Sequence, residues 1–228
     1  MSYKADLPVA NRPNPLDAGL LARAAFDNLV RWVCDGTPPP PSRVPRVIEG
    51  TAVTRADALD AMPDIPGATL PDADVLPALR VIDLGPDADK GVARWPAQTA
   101  EAYPDLVSAV DADGNEVAGV RLPALAVPLG THTGWNPRRP AGALPATLYA
   151  RCGSFWPFAR TEEERLRSGD PRPSLAERYE GRDDYLAKVD AVVAALVADR
   201  LLLADDAPTA TRAAARLWDE LAAETGSS

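Results

Sequence analysis

Histidine is nearly missing from this sequence: one, His132, stands among 228 residues, beside only two cysteines, Cys34 and Cys152. Two thiols far apart, with no second Cys or His at ligand spacing, are too few for a disulfide framework or a zinc site. The residues therefore point to no metal and no cofactor, and the thiols read as reduced side chains packed as small hydrophobes. No apolar run approaches the roughly 18 residues that cross a bilayer, so no membrane span is expected. Basic residues are outnumbered: 24 Lys and Arg against 33 Asp and Glu leave a net charge of −9, which argues against a nucleic-acid surface. G-x-S-x-G is absent, and the glycines form no phosphate-binding cluster. The first fifteen residues carry one Lys and no apolar core, so no signal peptide is visible and a cytoplasmic location is the default expectation.

What is present is ordinary for a folded domain, with 46% hydrophobic and 25% charged residues. The 24 prolines are the exception, and they confine helix to a few windows. Asn14, Pro15 and Asp17 read as an N-cap and first turn, leading a helix to about Cys34 that stops at Gly36. Its apolar residues mark both sides, with Leu20, Phe26, Val30 and Val33 on one and Leu21, Leu29 and Trp32 on the other. Such a helix calls for partners on two sides. Pro38 to Pro41 form a stiff connection. Val44 to Ile48 and Arg80 to Leu84 read as strands, and Thr54 caps a short helix from Arg55 to Ala61. Leu106–Val110 and Glu116–Leu122 flank a turn of Asp, Gly and Asn and predict a hairpin, with Leu125–Leu129 as a third, edge strand. Thr161 and Ser174 each begin a capping box. Long helices follow from about Asp183 to Leu203 and Thr209 to Glu224, with a frayed tail at Thr225 to Ser228. The fold class is α+β, divided into an N-terminal helix (1–37), a proline-rich β region (38–160) and a helical region (161–228) packing on it.

Few residues suggest chemistry, so no catalytic residue is assigned. Ser154 lies in Gly153-Ser154-Phe155-Trp156-Pro157, where proline opposes the helix a nucleophile turn requires, and it reads as a loop serine satisfying backbone groups. His132 stands between Thr131 and Thr133, but neighbours on an extended chain point apart. It is read as a satisfied loop or strand-end histidine, or as one that lines a pocket. To act as a base it would require a Ser, Thr or Cys near its ring and an orienting carboxylate. Asp111-x-Asp113-x-Asn115 begins like a calcium loop, but Glu116 stands where glycine is needed and Leu122 where glutamate is needed.

Four segments resemble the α/β-hydrolase domain-containing family: NPLD to RVPR from Asn14, VDADGNEVAGVRLPALAVPLGTHTGWNPRR from Val110, GSFWPFARTEEERLRSGDPRPSLAERY from Gly153, and the helix ending ADRLLL at Leu203. They fall in the order expected of that family's C-terminal half, with the first matching the last helix of the hydrolase domain. The resemblance implies an esterase-like parent acting through a serine, with its triad upstream of Asn14, so the chain is expected to be a cap-like region separated from its catalytic half. Substrate lining is then assigned to His132, Trp135, Asn136, Phe155, Trp156 and Phe158, with a hydrophobic-core role the alternative for the aromatics. The Asn14–Cys34 helix is the expected contact for a catalytic hydrolase half or for a homo-oligomer. Two other readings stay open: a stand-alone protein-binding module, and an independent hydrolase using His132.

Overall fold

The computed structural model describes residues 7–73, 76–139, 147–149 and 151–224, so the expected frayed tail lies outside the described residues. The first helix, α1 (Gly19–Asp35), begins later than the Asn14 cap predicts. The reason is that the Asn14 side chain is committed elsewhere. Its Oδ1 accepts from Leu16 N at 3.0 Å, and its Nδ2 donates to the carbonyl of Thr133 at 3.1 Å. Asp17 then receives Gly19 N–H at 2.8 Å where the helix starts. The stop falls where glycine permits it: Gly36 has φ 69° and bonds back to Trp32. Only one stripe of α1, Leu20, Ala24 and Asn28, is buried. Val33 is 76% exposed, Phe26 68% and Trp32 54%. The second partner that the sequence calls for is not among the described residues.

The β structure consists of three antiparallel pairs: β1 (Ala52–Thr54) with β4 (Leu106–Ser108), β2 (Arg80–Asp83) with β3 (Gln98–Ala102), and β5 (Gly130–His132) with β6 (Phe155–Pro157). Thr54 caps α2 (Arg55–Asp60) as expected, accepting from Asp57 N. Three sequence expectations fail here. Val44 to Ile48 makes no strand and runs into a single 3-10 turn, Val47–Glu49. The predicted hairpin shrinks to one bridge, Val110 to Glu116, because β4 pairs with β1 instead and Asn115 is drawn away to β5. The turn itself forms, with Asp111 Oδ1 receiving the N–H groups of Asp113 and Asn115. Leu125 to Leu129 is not a third strand: Pro123 opens a helical turn, α3 (Pro123–Ala126), in the position that suits proline best.

The C-terminal third is helical: α4 (Glu162–Ser168), α5 (Leu175–Arg178), α6 (Arg182–Ala198) and α7 (Ala207–Ala223). Thr161 caps α4, and Ser174 with Glu177 forms the expected capping box on α5. Tyr185, Val189, Val193 and Leu196 of α6 are buried against α7, with Tyr185 stacked on Trp218 at 5.0 Å. A single core joins these residues to Leu20 of α1, to Leu122, Val127 and Leu129, and to Phe155 and Phe158.

Residues 8–14 run as a strap beside β5 and β6. Val9 bridges to Arg138 and Pro13 to Ser154, while Asn14 N–H reaches Gly153 O at 2.9 Å. Gly153 is required by this close approach, since a Cβ there would lie 1.8 Å from Thr133 O. Gly153→Ala is therefore expected to cost about 1–3 kcal/mol, read as a lowered urea midpoint at constant m-value.

Candidate functional site

The site is built where the strap crosses the β5–β6 pair. Asn11 and Asn136, both buried, bracket each other: Asn11 N–H donates to Asn136 Oδ1 and Asn136 Nδ2 to Asn11 O, both at 3.1 Å. Asn11 also holds Thr69 through two bonds, and its Nδ2 donates to Ser154 Oγ at 3.2 Å. Ser154 Oγ in turn donates to Trp135 O at 2.7 Å. This hydroxyl is buried and committed to one backbone carbonyl and one amide side chain, as a structural serine should be.

β5 is fastened from the other side. Arg172 is buried with all five of its guanidinium N–H groups bonded: two to Asp170, two to the Trp156 and Pro157 carbonyls of β6, and one to Thr131 Oγ1 at 2.8 Å. Thr131 passes the chain on by donating to Asp113 O, and the Asp113 carboxylate pairs with Arg178. Burial raises the Asp170 carboxyl, but the bonds from Arg172 outweigh burial and hold it below its ordinary value. Arg172 and Arg178 both lie over the Phe158 ring, at 5.1 Å and 4.1 Å.

His132 is thereby held at the end of β5, buried, with its ring 4.6 Å from that of Phe155. Nδ1 lies 2.9 Å from Asn14 Oδ1. The rest of the network assigns the proton: Asn14 Oδ1 also accepts from Leu16 N and its Nδ2 donates to Thr133 O, so the amide cannot turn round. Nδ1 must donate, and Nε2 carries a lone pair. Burial pushes the His132 pKa down to about 4, so the ring is neutral at pH 7. Nε2 is buried without a hydrogen-bond partner among the described residues, so no Ser, Thr or Cys hydroxyl or thiol reaches it there.

Beside the ring lies a cavity of about 210 Å³. Leu59 and Met62 line it from α2 and beyond, Val107 and Val110 from the β4 side, and Trp135 and His132 from the β5 end. Glu116 reaches its wall from an otherwise exposed position, and desolvation there raises its carboxyl above the ordinary range. Of the six residues assigned to substrate lining, His132 and Trp135 border the cavity. Asn136, Phe155, Trp156 and Phe158 are buried behind it and are not among its described lining residues. Trp156 meets Trp135 edge-on at 5.7 Å, and so supports a lining residue from the core side. Sequence reasoning passed over Asn14 as an orienting group, and the Arg172–Asp170 pair altogether. A polar pair inside an otherwise featureless proline-rich stretch is weak as a signal.

Among the described residues no group of three His, Cys, Asp or Glu could hold a metal ion, and no helix is long and apolar enough to cross a membrane. Both cysteines are free; Cys152 is buried as expected, whereas Cys34 is exposed near the end of α1 and not packed. The parallel sheet of an α/β hydrolase is not found among the described strands, all of which pair antiparallel. Neither the curated proteins nor the solved structures contain a match to this chain. Residues 2–212 do match the family model described as "alpha/beta hydrolase domain". By that match, which spans most of its length, the chain belongs to the alpha/beta hydrolase domain family.

Proposed function

We propose that this chain is the cap-like part of a serine-esterase-type hydrolase, seated through the exposed face of α1 on a hydrolase body that carries the nucleophile. The observation that carries this reading is the outer face of α1, where Phe26, Leu29, Val30, Trp32 and Val33 are all exposed in a member of a hydrolase family. Exposed apolar residues gathered on one helix in this way form a docking surface. In this role His132 and Trp135 border the substrate, and Asn136, Phe155, Trp156 and Phe158 hold them in position. The chain itself is expected to show neither turnover of a p-nitrophenyl ester nor labelling by a fluorophosphonate. Stoichiometric labelling of one serine would overturn the reading and make the chain a hydrolase in its own right.

The same face supports a second reading, a homo-oligomer formed through α1. Sedimentation of the wild type and of Phe26→Glu/Val33→Glu separates the two. A concentration-dependent dimer that the double variant dissolves favours self-association. A monomer whose binding of an apolar dye falls in the variant favours a vacant seat for a hydrolase body.

A further inference from the structure

Glu116 combines two properties that a flat surface does not give together. It is exposed to solvent, yet the protein crowds its carboxyl closely enough that desolvation raises it above the ordinary range. A carboxylate that water reaches but protein surrounds stands in a concavity, and Glu116 lines the cavity of about 210 Å³ beside β5. Its Oε1 lies 3.9 Å from where a side chain on Gly134 would begin, between Thr133 and Trp135 of the same wall. Its side chain has no hydrogen bond or ion pair among the described residues.

The other walls narrow the choice of ligand. Leu59, Met62, Val107 and Val110 present hydrocarbon, and Trp135 adds an aromatic surface. Arg55 also borders the cavity, but its charge is taken by Asp105 at 2.9 Å. The sealed Nε2 of His132 offers a ligand nothing. Among the described residues the cavity therefore carries one uncompensated charge, and it is negative. An anion would be repelled, and a hydrocarbon would strip water from the carboxylate and return no bond for it. A metal ion would find one carboxylate where it needs several ligands. An ammonium on a hydrocarbon body meets every wall, since the charge faces Glu116 and the indole while the body covers the apolar side chains. A dry cavity of roughly 150 Å³ accommodates benzene, and the space here, about 210 Å³, suits one ring with a short arm.

We propose that this cavity binds a small protonated amine with an apolar body, its ammonium paired with Glu116 beside Trp135 and its hydrocarbon held between α2 and β4. The inference rests on the cap reading only in naming this group as the part of an ester substrate that the cap receives. Binding itself needs no hydrolase body, so the two can fail separately.

The test compares three probes of one shape and different charge. Phenethylamine, phenethyl alcohol and hydrocinnamate are titrated into the purified chain by calorimetry at neutral pH and low salt. The amine is expected to bind at one site roughly tenfold more tightly than the alcohol, the worth of a partly exposed ion pair with a cation–π contact. The carboxylate probe should bind more weakly than either, and added salt should narrow the lead of the amine. Glu116→Gln changes an exposed position and keeps the shape of the wall, so the amine and the alcohol should become equal in it. Leu59→Trp fills the cavity from the opposite side and should abolish binding of both. Equal affinities in the wild type, or a preference for the amine that survives in Glu116→Gln, would overturn selection by Glu116. Undiminished binding in Leu59→Trp would place the amine elsewhere and overturn the site. Failure of all three probes to bind would remove the inference, while the cap reading still stands or falls on ester turnover and serine labelling.

Discussion

Asp170→Ala is expected to destabilise the protein by about 3–5 kcal/mol, the usual cost of breaking a buried pair and stranding its partner. The side chains of Arg172 and Asp170 are 1% and 6% exposed, so the guanidinium left behind has no water to turn to. In a chain of this length that loss corresponds to a fall in melting temperature on the order of 10 °C. Arg172→Lys should recover little, because three ammonium donors on a flexible stem cannot replace a planar fork bonded to Asp170, Thr131 and two carbonyls of β6. Asp170→Ala/Arg172→Met should recover only part of the loss. It removes the stranded charge but leaves Thr131 and the carbonyls of Trp156 and Pro157 without their donor. A double variant as stable as the wild type would show that the pair contributes nothing net. Calorimetric melting of the three variants decides this.

The second large effect is a dependence on pH. His132 is neutral and buried in the folded chain, with its pKa at about 4, against an ordinary unfolded value near 6.5. Between those values the unfolded chain binds a proton that the folded chain does not. The contribution is therefore complete above about pH 6.5, declines as pH falls, and is gone below about pH 4, for a total of roughly 3 kcal/mol. Urea midpoints at pH 7 and pH 4.5 should differ accordingly in the wild type, and that difference should shrink in His132→Phe. Asp170 works in a lower window. Its carboxyl lies below its ordinary value, so its stabilisation is present above about pH 4 and is lost as pH falls further. Acid should weaken the protein in two stages. A midpoint difference between pH 7 and pH 4.5 that is the same in the wild type and in His132→Phe would show His132 to be hydrated in the folded chain.

Local chemistry was readable wherever a residue acts on its immediate neighbours. Thr54, Thr161 and Ser174 cap the helices they precede, Gly36 ends α1, and Asp111 closes its turn with its own side chain. The α6 face from Tyr185 to Leu196 was equally plain, because a helical period survives whatever it packs against. Two of the errors share a physical cause: a residue with strong local propensity was taken by a distant partner. Asn14 is a good cap by type, yet its amide holds Thr133 and His132. Asn115 suits a hairpin turn, yet its side chain bonds Gly130 and His132, and the predicted strand after it is lost. Of the six residues assigned to substrate lining, His132 and Trp135 border a cavity, and the sequence could not separate them from the other four, which are buried. Alternation along a strand does not reveal which face meets a void. The tautomer of His132 was beyond reach altogether, since it depends on an amide 118 positions away.

The strap has a consequence for how the chain reaches its folded state. Asn11 bonds Asn136 across 125 positions and Ser154 across 143, and Arg12 reaches Glu224 across 212. Such closures are entropically expensive and come late, whereas α6 and α7 form from nearby residues. During synthesis residues 8–14 must wait until β5 and β6 have left the ribosome before they have anywhere to go. Until then Asn14 is not in place beside the ring, and Nδ1 of His132 lacks the amide that fixes its proton. The order of assembly therefore makes the buried, lone-pair form of this histidine one of the final products of folding rather than an early one.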